Sequence, residues 1–158
     1  MKTTLITGGL GFIGSNICDL LLQKKYTNKC ILLDNFGGYM NPIKDSFIDF
    51  RKQRFSSLKN IIIERCDTSN YKALSSIINK YKPNYIYHTA ALPLAKVSNL
   101  NNEEAKISSV DSTVNIIDAI NLLKNSNQKF QFDRFVYFSS SMVYGDFKKS
   151  TVTEESEK

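Results

Sequence analysis

Cysteine, histidine and long apolar runs are scarce in this chain of 158 residues, and each shortage removes a class of function. The three cysteines, Cys18, Cys30 and Cys66, are widely spaced and odd in number. They form neither a metal-ligand pairing nor an oxidised framework, so they read as reduced thiols acting as small apolar residues, and no metal is expected. The single histidine, His88, lies among apolar neighbours and reads as a satisfied structural side chain rather than a base. No stretch approaches the roughly 20 apolar residues that span a bilayer, so no membrane partner is expected. Met1-Lys2-Thr3-Thr4 runs directly into Leu5-Ile6-Thr7, a run too short for a signal-peptide core and followed by no cleavage-like site. The expected location is the cytoplasm. No internal repeat, low-complexity tract or linker interrupts the chain.

The net charge of +6 raises the question of a nucleic-acid partner. The positive residues are scattered, however. The tightest groups, Arg51-Lys52-Gln53-Arg54 and Lys148-Lys149, form no stripe interleaved with aromatics, and no nucleic-acid-binding motif is present. A solvated basic face, suited at most to an anionic small molecule, is the better reading, and no nucleic-acid partner is expected.

With 42% hydrophobic and 23% charged residues, the chain has the composition of one compact domain over 1–158. Short apolar runs at 2–7, 30–34, 60–65, 85–88 and 134–138 predict strands. Helical spacing predicts helices over 12–24, 71–81 and 103–124, the last with Ile107, Val110, Val114 and Ile117 on one face. The stretch 35–58 predicts a loop and a short helix near 46–55. Lys82-Pro83 ends the second of the long helices, because proline disfavours helix in the residue before it. Strands separated by helices imply parallel pairing, hence a Rossmann-type doubly wound α/β sheet with helices on both faces.

The strongest local signal is Thr7-Gly8-Gly9-Leu10-Gly11-Phe12-Ile13-Gly14, which follows a strand and opens a helix, as a dinucleotide fingerprint requires. Gly8 and Gly9 permit a tight turn, Gly11 removes a side chain where a pyrophosphate approaches, and Gly14 lets the helix pack closely. The helix N-terminus offers free N–H groups and a positive dipole end. The Gly-Lys-Ser/Thr ending of a P-loop is absent. Asp34 closes the second strand, 20 residues beyond Gly14, where a carboxylate accepts hydrogen bonds from both adenosine ribose hydroxyls and repels the extra phosphate of NADP. The expected cofactor is NAD.

On these residues the sequence resembles the extended short-chain dehydrogenase/reductase family, in its NAD-dependent epimerase/dehydratase branch. The resemblance runs in order along the chain: the glycine pattern, Leu33-Asp34-Asn35, Arg65-Cys66-Asp67, His88-Thr89-Ala90-Ala91, and Phe138-Ser139-Ser140-Ser141-Met142-Val143-Tyr144-Gly145. It implies cofactor contacts from Gly8, Gly11, Phe12, Ile13, Gly14, Asp34, Asn35, Asp67, Ala90 and Ala91, with Asp67 holding the adenine amino group. It implies that Ser140, three residues before Val143, is the catalytic hydroxyl, with Ser139 and Ser141 as neighbours. In the family a tyrosine phenolate takes a proton from a sugar hydroxyl while NAD accepts the hydride.

Two departures stand out. Ser109-Val110-Asp111-Ser112-Thr113 replaces the family's Asn-Val-x-Gly-Thr, so Ser109 stands where an asparagine organises the nicotinamide end. The family's Tyr-x-x-x-Lys is also missing; it lies beyond the segment that reads here Val152-Thr153-Glu154-Glu155. The expectation is a cofactor domain that stops before its C-terminal substrate part. Tyr144 and Lys148 have the right spacing but directly follow the serine strand, and Gly145-Asp146 suggests a turn, so the pair reads as a decoy. Lys96 reads equally as a ligand-approaching or a surface lysine.

The resemblance implies a nucleotide-sugar substrate, with a UDP-hexose or UDP-glucuronate 4-epimerase favoured by the segment from Asp34 to Arg54, and a homodimer at full length. The alternatives are a nucleotide-sugar dehydratase and a non-catalytic NAD-binding module. Dehydratases usually carry acids just after the catalytic hydroxyl, where Ser141 and Met142 stand here.

Overall fold

The computed structural model describes residues 2–37, 43–56, 58–92, 102–146 and 150–156. Lys96, Lys148 and the stretch 38–42 lie outside the described residues. The elements alternate as the apolar runs require: β1 Thr3–Thr7, α1 Phe12–Gln23, β2 Lys29–Asp34, α2 Ile43–Ser56, β3 Ile61–Arg65, α3 Tyr71–Tyr81, β4 Tyr85–His88, α4 Asn102–Lys106, α5 Ser112–Ser126 and β5 Arg134–Tyr137. A π-helical turn, Ile107–Asp111, joins α4 to α5, and a 3₁₀ turn, Ser141–Tyr144, follows β5. Asn70 caps α3 by accepting from the Ala73 N–H at 3.1 Å. Lys82 ends α3 in a left-handed conformation, its N–H donating to the Ile78 carbonyl at 2.8 Å, just before Pro83.

The five strands form one parallel sheet in the order β3-β2-β1-β4-β5. Central β1 sends alternate residues into two cores, because successive strand residues point to opposite faces. On one face Leu5, Ile31 and Ile86 pack with Leu74 and Ile78 of α3 and Ile116, Ala119, Ile120 and Leu123 of α5. On the other, Ile6, Cys30 and Leu32 pack with Cys18 and Leu21 of α1 and Phe55 of α2. Fully burying a side chain of this size contributes about 1.5–3 kcal/mol. The doubly wound α/β arrangement expected from the sequence is therefore present. Its crevice opens at the carboxyl ends of β1, β2 and β4, where the strand order reverses about β1.

All three cysteines are free and buried. Hydrogen bonding to Cys30, with burial, pushes the Cys18 thiol above its ordinary range. Among the described residues, no helix is long and apolar enough to cross a membrane, and no group of three His, Cys, Asp or Glu side chains is arranged to hold a metal.

The long helix departs from expectation. It is divided by the π turn, and Ile107, Val110, Val114 and Ile117 are 37%, 55%, 47% and 41% exposed. The face that meets the sheet is Ile116, Ala119, Ile120 and Leu123 instead. Helix α5 and the π turn before it carry two apolar stripes, and the sheet covers only one.

Candidate dinucleotide-binding cleft

The turn after β1 is built so that only glycine fits at its key points. Gly8 has φ +63°, a conformation that L side chains rarely adopt, and a Cβ there would stand 2.9 Å from the Ala90 nitrogen. A Cβ on Gly14 would collide with the Gly8 carbonyl oxygen and stand 2.9 Å from the Gly9 Cα. Gly14 thus lets α1 seat against the turn itself. The Gly11 N–H donates to the Gly8 carbonyl at 2.9 Å, and Gly11 caps α1 with no side-chain hydrogen bond. The N–H groups of Phe12, Ile13 and Gly14 form the first turn of α1 and have no acceptor within the helix. No acid occupies that turn.

This turn forms one wall of a cleft of about 340 Å³. Of the residues expected to hold a cofactor, Gly8, Gly11, Phe12, Asp34, Asn35, Asp67, Ala90 and Ala91 line it. Ile13 is 52% exposed on α1, and Gly14 is buried beneath the turn; neither lines the cleft. Ser140 is exposed beyond the end of β5, on the same carboxyl edge of the sheet but outside the cleft. Its carbonyl accepts from the Val143 N–H at 3.2 Å.

Asp34 is fixed by two backbone donors, Leu10 N–H at 3.0 Å and Phe36 N–H at 2.9 Å, one to each oxygen. Asn35 Nδ2 donates to Asp67 Oδ2 at 2.9 Å, and Asp67 Oδ1 accepts from the Ser69 N–H and hydroxyl at 2.9 and 2.7 Å. Burial alone would raise the Asp67 carboxyl, but the bonds from Asn35 and Ser69 outweigh it and hold the group below its ordinary value. Burial pushes the neighbouring Cys66 thiol up to about 11, which keeps it protonated.

His88 is 2% exposed and bridges β1 to α5: Nδ1 lies 2.7 Å from Thr7 Oγ1, and Nε2 lies 3.2 Å from Thr113 Oγ1. Burial lowers its pKa to about 4, so the ring is neutral at pH 7. The side chain is structural. Thr89 Oγ1 donates to the Thr7 carbonyl at 2.6 Å, which draws the segment after β4 against Gly8 and puts Ala90 and Ala91 on the cleft wall.

Three features were not read from the sequence. Arg51 of α2 lines the cleft and donates from Nη1 to the Leu10 carbonyl at 2.6 Å. Ser108, within the π turn, lines the cleft, whereas Ser109, the departure from the family's asparagine, is exposed and outside it. The inserted π residue shifts the helical register, a common device at functional sites. Phe36 has φ +61°. At the described end of the Tyr144/Lys148 pair, the 3₁₀ turn stops at Tyr144 and Gly145 has φ +57°.

The chain has known relatives. A UDP-glucose 4-epimerase of Caenorhabditis elegans is 30% identical over 155 residues, covering 97% of this chain and 42% of that protein. The crystal structure of a UDP-glucose-4-epimerase from Stenotrophomonas maltophila, with bound NAD and formylated UDP-arabinopyranose, superimposes with a TM-score of 0.76 at 18% identity, over 99% of this chain and 42% of that one. A dTDP-glucose 4,6-dehydratase from Bacillus anthracis in complex with NAD gives 0.74 at 23% identity, over 99% and 43%. These two likenesses show a common fold. The chain spans less than half the length of the curated relatives it matches. The family model described as GDP-mannose 4,6 dehydratase matches residues 5–158, and the chain belongs to that family.

Proposed function

We propose that this chain is the NAD-binding part of a nucleotide-sugar 4-epimerase acting on a UDP-hexose or UDP-glucuronate. The observation that carries the reading is the shared cleft: the open N-terminus of α1 and the fixed carboxylate of Asp34 face the same space at the switch point of the sheet. A glycine wall that a Cβ would obstruct, free helix N–H groups and an acid at the end of β2 fit a dinucleotide. The backbone of Gly11 and the first-turn N–H of Phe12, which line the cleft, bind the pyrophosphate. Asp34 accepts from the adenosine ribose hydroxyls through its remaining lone pairs. Asp67, oriented by Asn35, receives the adenine amino group, and the small Ala90 and Ala91 leave room for the cofactor to pass. When bound, NAD supplies the hydride acceptor. Ser140 donates a hydrogen bond to the sugar oxygen, and a tyrosine-lysine pair outside residues 1–158 removes the hydroxyl proton.

Epimerisation is favoured over dehydration because Ser141 and Met142, next to Ser140, provide no acid to protonate a leaving hydroxyl. The relationship to the C. elegans epimerase supports the same choice. We also propose a cytoplasmic homodimer; the exposed stripe Ile107, Val110, Val114 and Ile117 supports the self-association. The test is to assay UDP-glucose and UDP-glucuronate with added NAD, using residues 1–158 beside a longer form that includes a Tyr-x-x-x-Lys helix. The longer form should yield the 4-epimers and residues 1–158 should not. A 4-keto-6-deoxy product would establish the dehydratase instead, and comparable turnover by both forms would promote Tyr144 and Lys148 to the catalytic pair.

A further inference from the structure

The basic run of α2 contains three cations with different partners. Lys52 pairs with Asp49 at 3.9 Å and lies 4.3 Å above the Phe36 ring. Arg54 pairs with Asp19 and ties α2 to α1. Arg51 alone of the three lines the cleft, and among the described residues it has no ion-pair partner. Its hydrogen bond goes to the carbonyl of Leu10, whose own N–H is held by Asp34. The acid and the cation therefore grip the two ends of one residue of the glycine turn. Both oxygens of Asp34 already accept backbone N–H bonds. A guanidinium carries five N–H donors, so Arg51 keeps donors beyond the one given to Leu10.

We propose that Arg51 is a specificity-determining residue at the adenosine end of the cleft, where its cation moderates the rejection of a 2′-phosphorylated dinucleotide by Asp34. The inference rests on the adenosine ribose lying beside Asp34, as in the reading above. NAD remains the better ligand, because Asp34 still accepts from the ribose hydroxyls. NADP is penalised less than by a carboxylate acting alone, because its phosphate gains a charge-assisted partner.

The experiment is calorimetric titration of the full chain with NAD and with NADP, for wild type, Arg51→Gln and Lys52→Gln, with thermal melting to check folding. Glutamine keeps a donor for the Leu10 carbonyl and removes the charge. Arg51→Gln should weaken NADP binding about tenfold or more while changing NAD binding less than about threefold, the size expected for one charge-assisted hydrogen bond. Lys52→Gln, which removes the same charge one residue away, should leave the NADP/NAD ratio within about twofold. Equal losses for both cofactors would mean that Arg51 only holds Leu10 or meets the shared pyrophosphate, and would overturn the proposal. An unchanged ratio, or an equal change in Lys52→Gln, would overturn it too. A wild type that binds neither cofactor would overturn the underlying site reading, and this inference with it.

Discussion

Gly8 and Gly145 share a left-handed backbone, with φ +63° and +57°, yet their surroundings differ completely. A Cβ on Gly8 would meet the Ala90 nitrogen at 2.9 Å and its Cα at 3.0 Å, whereas a Cβ on Gly145 would meet nothing within 4 Å among the described residues. Replacing either glycine by alanine costs about 1–2 kcal/mol for the left-handed conformation itself. At Gly8 a steric cost of about 1–3 kcal/mol is added, because the obstacle is backbone held by the Thr89–Thr7 hydrogen bonds and cannot yield cheaply. Gly8→Ala should therefore destabilise by about 2–5 kcal/mol and Gly145→Ala by about 1–2 kcal/mol. Urea unfolding monitored by circular dichroism measures both. Because the obstructed atoms form the cleft wall, Gly8→Ala should also lose dinucleotide binding, while Gly145→Ala retains it. Equal destabilisation by the two substitutions would refute the claim that close approach to Ala90, rather than backbone sign alone, dictates glycine at position 8.

The neutral, buried His88 makes stability pH-dependent. Its folded pKa of about 4 lies below the ordinary 6.5, so its contribution is complete above pH 6.5 and is lost as pH falls towards 4, by at most about 3 kcal/mol. Unfolding free energies across that window should show the slope in wild type and not in His88→Gln. In the longer form of the proposed assay, Ser140→Ala should reduce turnover about a hundredfold or more, with Ser139→Ala and Ser141→Ala near normal; loss at Ser139 or Ser141 instead would shift the alignment by one residue. Val110→Glu with Val114→Glu should convert a dimer to monomer by sedimentation while melting within a few degrees of wild type, because both side chains are already exposed. A dimer that survives both charges would place the interface elsewhere.

The strands and α3 were legible in the sequence because each is a short pattern read over its own length. The helix over 71–81 and the strand over 85–88 fall where spacing placed them, and the other strand ends differ by a residue. The glycine turn was legible for the same reason: Gly8, Gly11 and Asp34 are set by local spacing, Asp67 came only from the family resemblance, and all four line one cleft. The Arg51–Leu10 contact was not legible, because it joins residues 41 apart through the docking of α2 on α1. The register of the long helix was hidden as well. Sequence spacing assumes an uninterrupted 3.6-residue period, and the π turn, from which Ser108 lines the cleft, breaks it. Which apolar stripe of the long helix is covered was not legible, because both have helical spacing and only tertiary packing decides between them.

The central claim is that Asp34 and the glycine turn form an NAD site, and calorimetric titration with NAD and NADP of wild type and Asp34→Ala tests it most directly. The account predicts tighter binding of NAD than of NADP by wild type, a loss of NAD affinity of about tenfold in Asp34→Ala, and a narrower gap between the cofactors in that variant. Tighter binding of NADP by wild type, or NAD affinity unchanged by Asp34→Ala, would contradict it.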